Sequence, residues 1–368
     1  MEFVFETPAG SVEHVYEGYD CVRDNAEVLC SCGKHALIVT GRHSAAANGS
    51  LRDVITALEN GGVSYSHFSE IEENPSVETI MKARDYGFSE GADFVIGIGG
   101  GSPMDAAKAI AVMIANADRG SGYLYDRSVA DVKALPVVAV PTTCGTGSEM
   151  TGVAVLTRHD KGTKESMVYK VFPRFAFIDP KYLKAAPDSV ICNTAMDAFG
   201  HMAESYMCKN RNDKSMAAVE TGLNIWSMVK DKLMGGDDLD DDDLEKLMLS
   251  SMYAGIAISY TGTSIPHGLS YRVTYKLGVP HGRAIGYFQY GFLREAPEEE
   301  SKKVLEFAGF DTVEDVDDYF KKTCGFKPLD AEVLGEAVDE LMQVERKLKG
   351  AVFNIDRDVL LRICETCR

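Results

Sequence analysis

The chain lacks any apolar run approaching the ~18 residues that suggest a membrane span. Its start, Met1-Glu2-Phe3-Val4-Phe5-Glu6, has no basic opening and no long apolar stretch, so a signal peptide is not expected. Excess positive charge is missing too. The formal net charge is −18, which argues against a nucleic-acid partner, because a phosphate backbone calls for a basic face. The nine cysteines are scattered. Cys30/Cys32 and Cys364/Cys367 are the only close pairs. Cys364-Glu365-Thr366-Cys367 has no strand before it and is read as a chance spacing or a surface thiol pair. The set fits a reducing cytoplasm. Internal repeats and long low-complexity linkers are absent.

What is present is material for a large core. The 368 residues are 45% hydrophobic and 26% charged, as in soluble globular proteins, and are enough for two domains. In the first half, strand-like and helix-like segments alternate. Strands are predicted at His35–Thr40, Val63–Phe68, Asp93–Ile98 and Pro136–Val140. Helices are predicted at Leu51–Glu59, Val77–Tyr86 and Met104–Ile114. This order predicts a parallel, Rossmann-like α/β sheet with helices on both faces. Beyond about residue 185 helical periodicity takes over, at Asn193–Cys208, Met216–Lys232, Leu244–Ser259 and Pro266–Leu277. A boundary near Pro180–Pro187 gives an α/β nucleotide-binding domain, 1–184, and an all-helical domain, 185–368. The acidic run Gly235–Asp243 lacks the spacing and final glutamate of an EF-hand. It reads as an interhelical loop whose aspartates cap the next helix.

Gly99-Gly100-Gly101-Ser102-Pro103 follows a buried strand and opens a helix. Glycines allow close backbone approach, and free N–H groups at a helix start attract an anion such as a pyrophosphate. Ser102 is the expected cap and Pro103 the first helical residue. Thr142, Thr143, Gly145, Thr146, Gly147 and Ser148 form a second small, hydroxyl-rich loop after the next strand. Two loops at the carboxyl ends of parallel strands mark the ligand edge of an open α/β sheet. After Leu37–Thr40 comes Gly41-Arg42-His43-Ser44, with no acidic residue to take a ribose 2′-hydroxyl. Gly41, Arg42 and Ser44 therefore favour NADP over NAD, unless Arg42 is an incidental surface residue.

In the second half, Asp197 and His201 are four apart and share a helix face. His267 and His281 each stand in a Pro-His-Gly context, and a tertiary bend must bring them together. Three imidazoles and a carboxylate suit iron or zinc better than calcium or magnesium. With the nucleotide loops, they point to metal-assisted redox chemistry.

Together these residues resemble the iron-containing (group III) alcohol dehydrogenase family. The matches are Gly99–Pro103 with Asp105, Pro141–Thr143 with Gly145-Thr146 and Ser148-Glu149, Asp197/His201, His267 and Pro280-His281-Gly282. The resemblance implies an active site in a cleft between the two domains, with Asp197, His201, His267 and His281 as metal ligands. It implies that Gly99, Gly100, Gly101, Ser102, Asp105, Thr142, Thr143 and Thr146 surround NAD(P). Lys164 is a further cofactor candidate, although the local spacing is one residue shorter than the family's. It also implies a homodimer, and direct hydride transfer between NAD(P)H and a short aldehyde or alcohol polarised by Fe2+ or Zn2+. One position departs. Where members often carry a histidine four residues after the third ligand, this chain has Tyr271, a hydroxyl that either relays a proton or simply packs. Glu204 is read as a supporting or helix-face residue. A glycerol- or polyol-dehydrogenase-like enzyme is the nearest alternative. A dehydroquinate-synthase type would carry glutamate in place of Asp197 and a lysine-rich site. A non-catalytic metal- and nucleotide-binding protein is the alternative from another class.

Overall fold

The computed structural model describes residues 2–9 and 12–368. They fall into two compact units. The first holds the chain up to Thr143 together with Ser148–Ala186, and the second holds Cys144–Gly147 and Pro187–Arg368.

Among the described residues the first unit has nine strands: β1 Glu2–Glu6, β2 Val12–Glu17, β3 His35–Thr40, β4 Ser64–Phe68, β5 Phe94–Gly99, β6 Val137–Pro141, β7 Val155–Arg158, β8 Thr163–Ser166 and β9 Phe175–Ile178. Seven form one sheet in the order β1-β2-β9-β6-β5-β3-β4. All its pairings are parallel except β1 with β2. Both faces of the central strands are apolar, as helices on two sides require. Leu37, Val39 and Val95 pack with the Val77–Ser89 and Gly101–Ala115 helices. Ala36, Ile38, Phe94 and Ile96 pack with Val54, Ala57 and Leu58 of the Ser50–Asn60 helix.

The N-terminal hairpin and the separate β7–β8 hairpin are additions to the expected βα pattern. Their strands are short and carry charges, such as Thr163-Lys164-Glu165-Ser166, so the apolar run that announces a buried strand is missing.

The second unit is helical. Its ten helices begin with Asp188–Tyr206, Asp213–Gly235, Asp241–Thr261, Ile265–Leu277 and His281–Glu295. The acidic run is a cap: Asp240 accepts from the N–H groups of Asp242 and Asp243, and Asp243 accepts from that of Asp240. Trp226, fully buried, donates to the Ala195 carbonyl at 2.9 Å and packs on Phe199. It thereby braces the Asp188–Tyr206 helix. Cys364 and Cys367 do not form a surface pair: both are buried, and burial pushes the Cys364 thiol up to about 12. No helix among the described residues is long and apolar enough to cross a membrane.

Gly97 in β5 lets the Gly101–Ala115 helix lie close. A Cβ there would stand 2.9 Å from Ala107 Cβ and 3.0 Å from Pro103 O. Gly97→Val is expected to destabilise the protein by about 2 kcal/mol through overpacking, read as a lowered urea midpoint.

Candidate functional site

The register of the sheet assembles the first set of residues. Thr40 lies opposite Ile98, and Gly99 opposite Pro141. The segments that follow β3, β5 and β6 therefore leave the same carboxyl edge. Gly41, Arg42 and Ser44 follow β3, with Arg42 and Ser44 exposed. Gly99 has φ +148, a conformation open to glycine. The helix begins at Gly101 with Gly100 as its cap, two residues earlier than expected. Gly101 and Ser102 take helical geometry, and Pro103 still lies in the first turn, where its missing N–H leaves no bond unmade. Ser102 is thus no cap. Its hydroxyl accepts from the N–H of Asn74 at 3.0 Å.

A Cβ on Gly100 would be 3.2 Å from Thr143 Oγ1. That hydroxyl oxygen is buried and has no hydrogen-bond partner among the described residues. Bare glycine backbone, a helix start and an unpartnered hydroxyl fit a phosphate. Thr142 is buried, and its N–H donates to the Gly99 carbonyl. Asp105 turns inward: its oxygens accept from Ser148 Oγ at 2.6 Å and from the N–H of Val155 at 2.9 Å. Lys164, on β8, donates to Asn74 Oδ1 at 2.5 Å. Asn74 has φ +59, and its carbonyl accepts from Thr157 Oγ1. No motif announces Asn74, yet it joins Ser102 to Lys164. Thr146 belongs to the Cys144–Gly147 segment of the second unit.

The second set lies wholly within the helical unit. Asp197 and His201 are one turn apart on the Asp188–Tyr206 helix. His267 is in the first turn of Ile265–Leu277, with Tyr271 one turn on and Gly278, φ +63, closing the helix. His281 is the first residue of His281–Glu295. Two glycines bring that helix to Asp188–Tyr206. A Cβ on Gly282 would sit 1.8 Å from the Asn193 carbonyl oxygen, and one on Gly200 2.8 Å from Ile285 Cγ2. The glycine of Pro280-His281-Gly282 thus allows the contact that carries His281 to Asp197.

Donor atoms of Asp197, His267 and His281 lie within 4.8 Å of one another. Asp197 Oδ1 is 3.4 Å from His267 Nε2 and 3.7 Å from His201 Nε2. The His201 and His267 rings stack at 4.4 Å. Asp197 Oδ1 and His267 Nε2 are buried and make no well-formed hydrogen bond among the described residues. Their far sides are fixed. His201 Nδ1 lies 3.2 Å from the Gly145 carbonyl, and His267 Nδ1 lies 2.5 Å from Glu204 Oε1. Both acceptors select the Nδ1–H tautomer and leave Nε2 to face inward. Glu204 Oε2 also accepts from the N–H of Ser264 at 2.5 Å. Glu204 is therefore a buried support of His267, which its sequence position, three residues past His201, does not reveal.

Burial alone would raise the Asp197 and Glu204 carboxyls, but the imidazoles around them hold both below the ordinary range. Burial pushes the His201 imidazole down. At His267 burial acts the same way, but the Glu204 charge, the nearby Asp197 carboxylate and the hydrogen bond to Glu204 outweigh it. Inward nitrogen and oxygen donors, two of them without hydrogen bonds, fit a borderline divalent cation. Tyr271 lies beside this cluster, its ring 6.4 Å from that of His281.

Comparison with known proteins agrees with this arrangement. The model of the iron-containing alcohol dehydrogenase family matches residues 13–180, and that of the family's C-terminal part matches 191–324. A solved iron-containing alcohol dehydrogenase is 31% identical with a TM-score of 0.89, covering 100% of this chain and 99% of that one. Another, from Thermotoga maritima, is 32% identical with a TM-score of 0.88, covering 96% and 97%. The chain belongs to the iron-containing alcohol dehydrogenase family. Among curated relatives, the long-chain primary alcohol dehydrogenase AdhA of Thermoanaerobacter ethanolicus is 36% identical over 50% of this chain. The chain spans about half of that relative's length, 47%. Sulfoacetaldehyde reductase of Bilophila wadsworthia is 29% identical over 79% of this chain and 75% of its own.

Glu204→Ala would leave two buried N–H groups without their acceptor. It is expected to destabilise the metal-free protein by about 3 kcal/mol, and Glu204→Gln by less. Urea unfolding of both variants checks this.

Proposed function

We propose that this protein is a metal-dependent, NAD(P)-linked alcohol dehydrogenase that also runs as an aldehyde reductase on short substrates. The observation that carries the reading is the inward set Asp197, His201, His267 and His281, with the tautomers of His201 and His267 fixed from behind. Iron or zinc is the proposed metal, and iron is favoured by the family. When bound, the metal supplies Lewis acidity toward a carbonyl or alcohol oxygen, and NAD(P)H supplies hydride.

The chain's own residues do the rest. Asp197 would offset the charge of a bound cation, while Glu204 and the Gly145 carbonyl keep Nε2 of His267 and His201 presented. The N–H groups at the start of Gly101–Ala115 and the Thr143 hydroxyl receive the pyrophosphate. Thr142, by its bond to Gly99, holds the glycine turn in place. Gly41, Arg42 and Ser44 follow β3 with no carboxylate among them, which favours a 2′-phosphate and hence NADPH. Tyr271 shares a helix face with His267 and is the proposed proton relay. The fixed imidazoles and the half-buried tyrosine are compatible with simple aldehydes and also with polyols, so a panel of short aldehydes, alcohols and glycerol separates the two.

Chelator-treated protein is expected to lose aldehyde-dependent NADPH oxidation and to regain it with Fe2+ or Zn2+. Joint replacement of His267 and His281 by alanine should abolish turnover, and full activity in that variant would sink the proposal. Arg42→Asp is expected to move the NADPH-to-NADH preference in kcat/KM by about tenfold toward NADH, equivalent to about 1.4 kcal/mol. An unchanged ratio removes Arg42 from the cofactor site.

A further inference from the structure

Lys347 is a buried cation near the cluster that the mechanism above leaves unused. It stands in the short Glu345–Gly350 helix and is 7% exposed. Its ammonium donates to Thr263 Oγ1 at 3.0 Å and to the Ser264 carbonyl at 3.1 Å. It also lies over the Tyr271 ring, 5.3 Å from the centroid. Among the described residues no carboxylate is within ion-pair distance of it.

A buried cation without a direct counter-ion is costly. The position adds to that cost, because Ser264 caps the start of Ile265–Leu277 and a helix N-terminus repels positive charge. The compensation lies one residue away. Ser264, whose carbonyl Lys347 holds, gives both its N–H and its hydroxyl to Glu204 Oε2, and Glu204 Oε1 holds His267. Lys347 thus heads a string of buried bonds that ends on a proposed metal ligand. Burial pushes the Lys347 ammonium down to about 8, against the pull of Glu204, so it remains largely charged at neutral pH.

We propose that Lys347 is a positioning residue for the metal site: through the Thr263–Ser264 turn it holds Glu204 where it fixes His267, and its charge offsets that of Glu204. The role rests on the metal reading above, and it concerns how firmly the metal is held. A packing role alone would require only the aliphatic stem, which methionine supplies. The positioning role requires the charged head.

The test is zinc release from the full-length, zinc-loaded protein to a chromogenic chelator. Lys347→Met is expected to release zinc about tenfold faster, the lower end of what supporting partners of a ligand contribute. Lys347→Arg, which keeps the charge and the donors, should restore most of the retention. In a Glu204→Gln background, Lys347→Met should add little, because both act on one string. Zinc release from Lys347→Met at the wild-type rate would overturn the role, as would the same acceleration in the Glu204→Gln background. If Lys347→Met does not fold, Lys347→Gln takes its place with the same expectations. Wild-type protein that binds no zinc and no iron overturns the metal reading itself, a result distinct from the failure of Lys347.

Discussion

The helical unit is organised around two carboxylates that have been taken out of water. Asp197 and Glu204 are both nearly inaccessible, and an uncompensated buried carboxylate would neutralise itself rather than stay charged. Here Asp197 is held in its charged form by the imidazoles around it, and Glu204 by His267, Lys347 and the Ser264 N–H. Four segments have to converge for this: the Asp188–Tyr206 helix, the turn at Ser264, the start of Ile265–Leu277 and the start of His281–Glu295. The arrangement of these helices is therefore inseparable from the electrostatics of the cluster.

Such convergence needs backbones closer together than side chains ordinarily permit. Gly282 against Asn193, Gly200 against Ile285, Gly145 against Thr194 and Gly147 against Gly255 each fill a place that a Cβ would occupy. Gly147 also has φ +56. Glycines in the Pro-His-Gly and Thr-Cys-Gly-Thr-Gly segments thus serve approach between elements, whereas Gly99 serves the turn itself. The same residue type answers two physical demands, and only the contacts distinguish them.

Much of this was legible in the sequence. The central strands His35–Thr40 and Phe94–Gly99 carry apolar side chains on both faces, and such runs have few solutions other than a covered parallel sheet. The i, i+4 spacing of Asp197 and His201 placed both on one face because a helix allows nothing else. What could not be read were features that depend on contacts between distant residues. Glu204 looks like any helix glutamate until Ser264 and His267 are folded onto it. Asn74 acquires its place from Ser102, Thr157 and Lys164, which come from three other segments. Asp105, read beside the glycine turn as a ligand contact, is drawn inward by Ser148 and Val155. The helix starts two residues before the cap expected at Ser102, because local cap preference cannot register that two glycines already let the helix begin.

The Thr142–Ser148 loop shows how far a short segment can serve two tasks. Thr143, with its unpartnered hydroxyl near Gly100, belongs to the α/β unit. Two residues later, Gly145 belongs to the helical unit, and its carbonyl fixes the tautomer of His201. Cys144 between them is buried, with its sulfur 3.2 Å from Thr194 Oγ1, and burial pushes its thiol up to about 12. It is a packing residue rather than a nucleophile. The loop is therefore anchored on either side of a single buried side chain. Its small residues follow from that double duty: a larger residue at 145 would meet Thr194 before the carbonyl reached His201, and an apolar one at 143 would remove the hydroxyl that the glycine turn leaves room to use. The small residue at position 145 is thus required by the orientation of an imidazole.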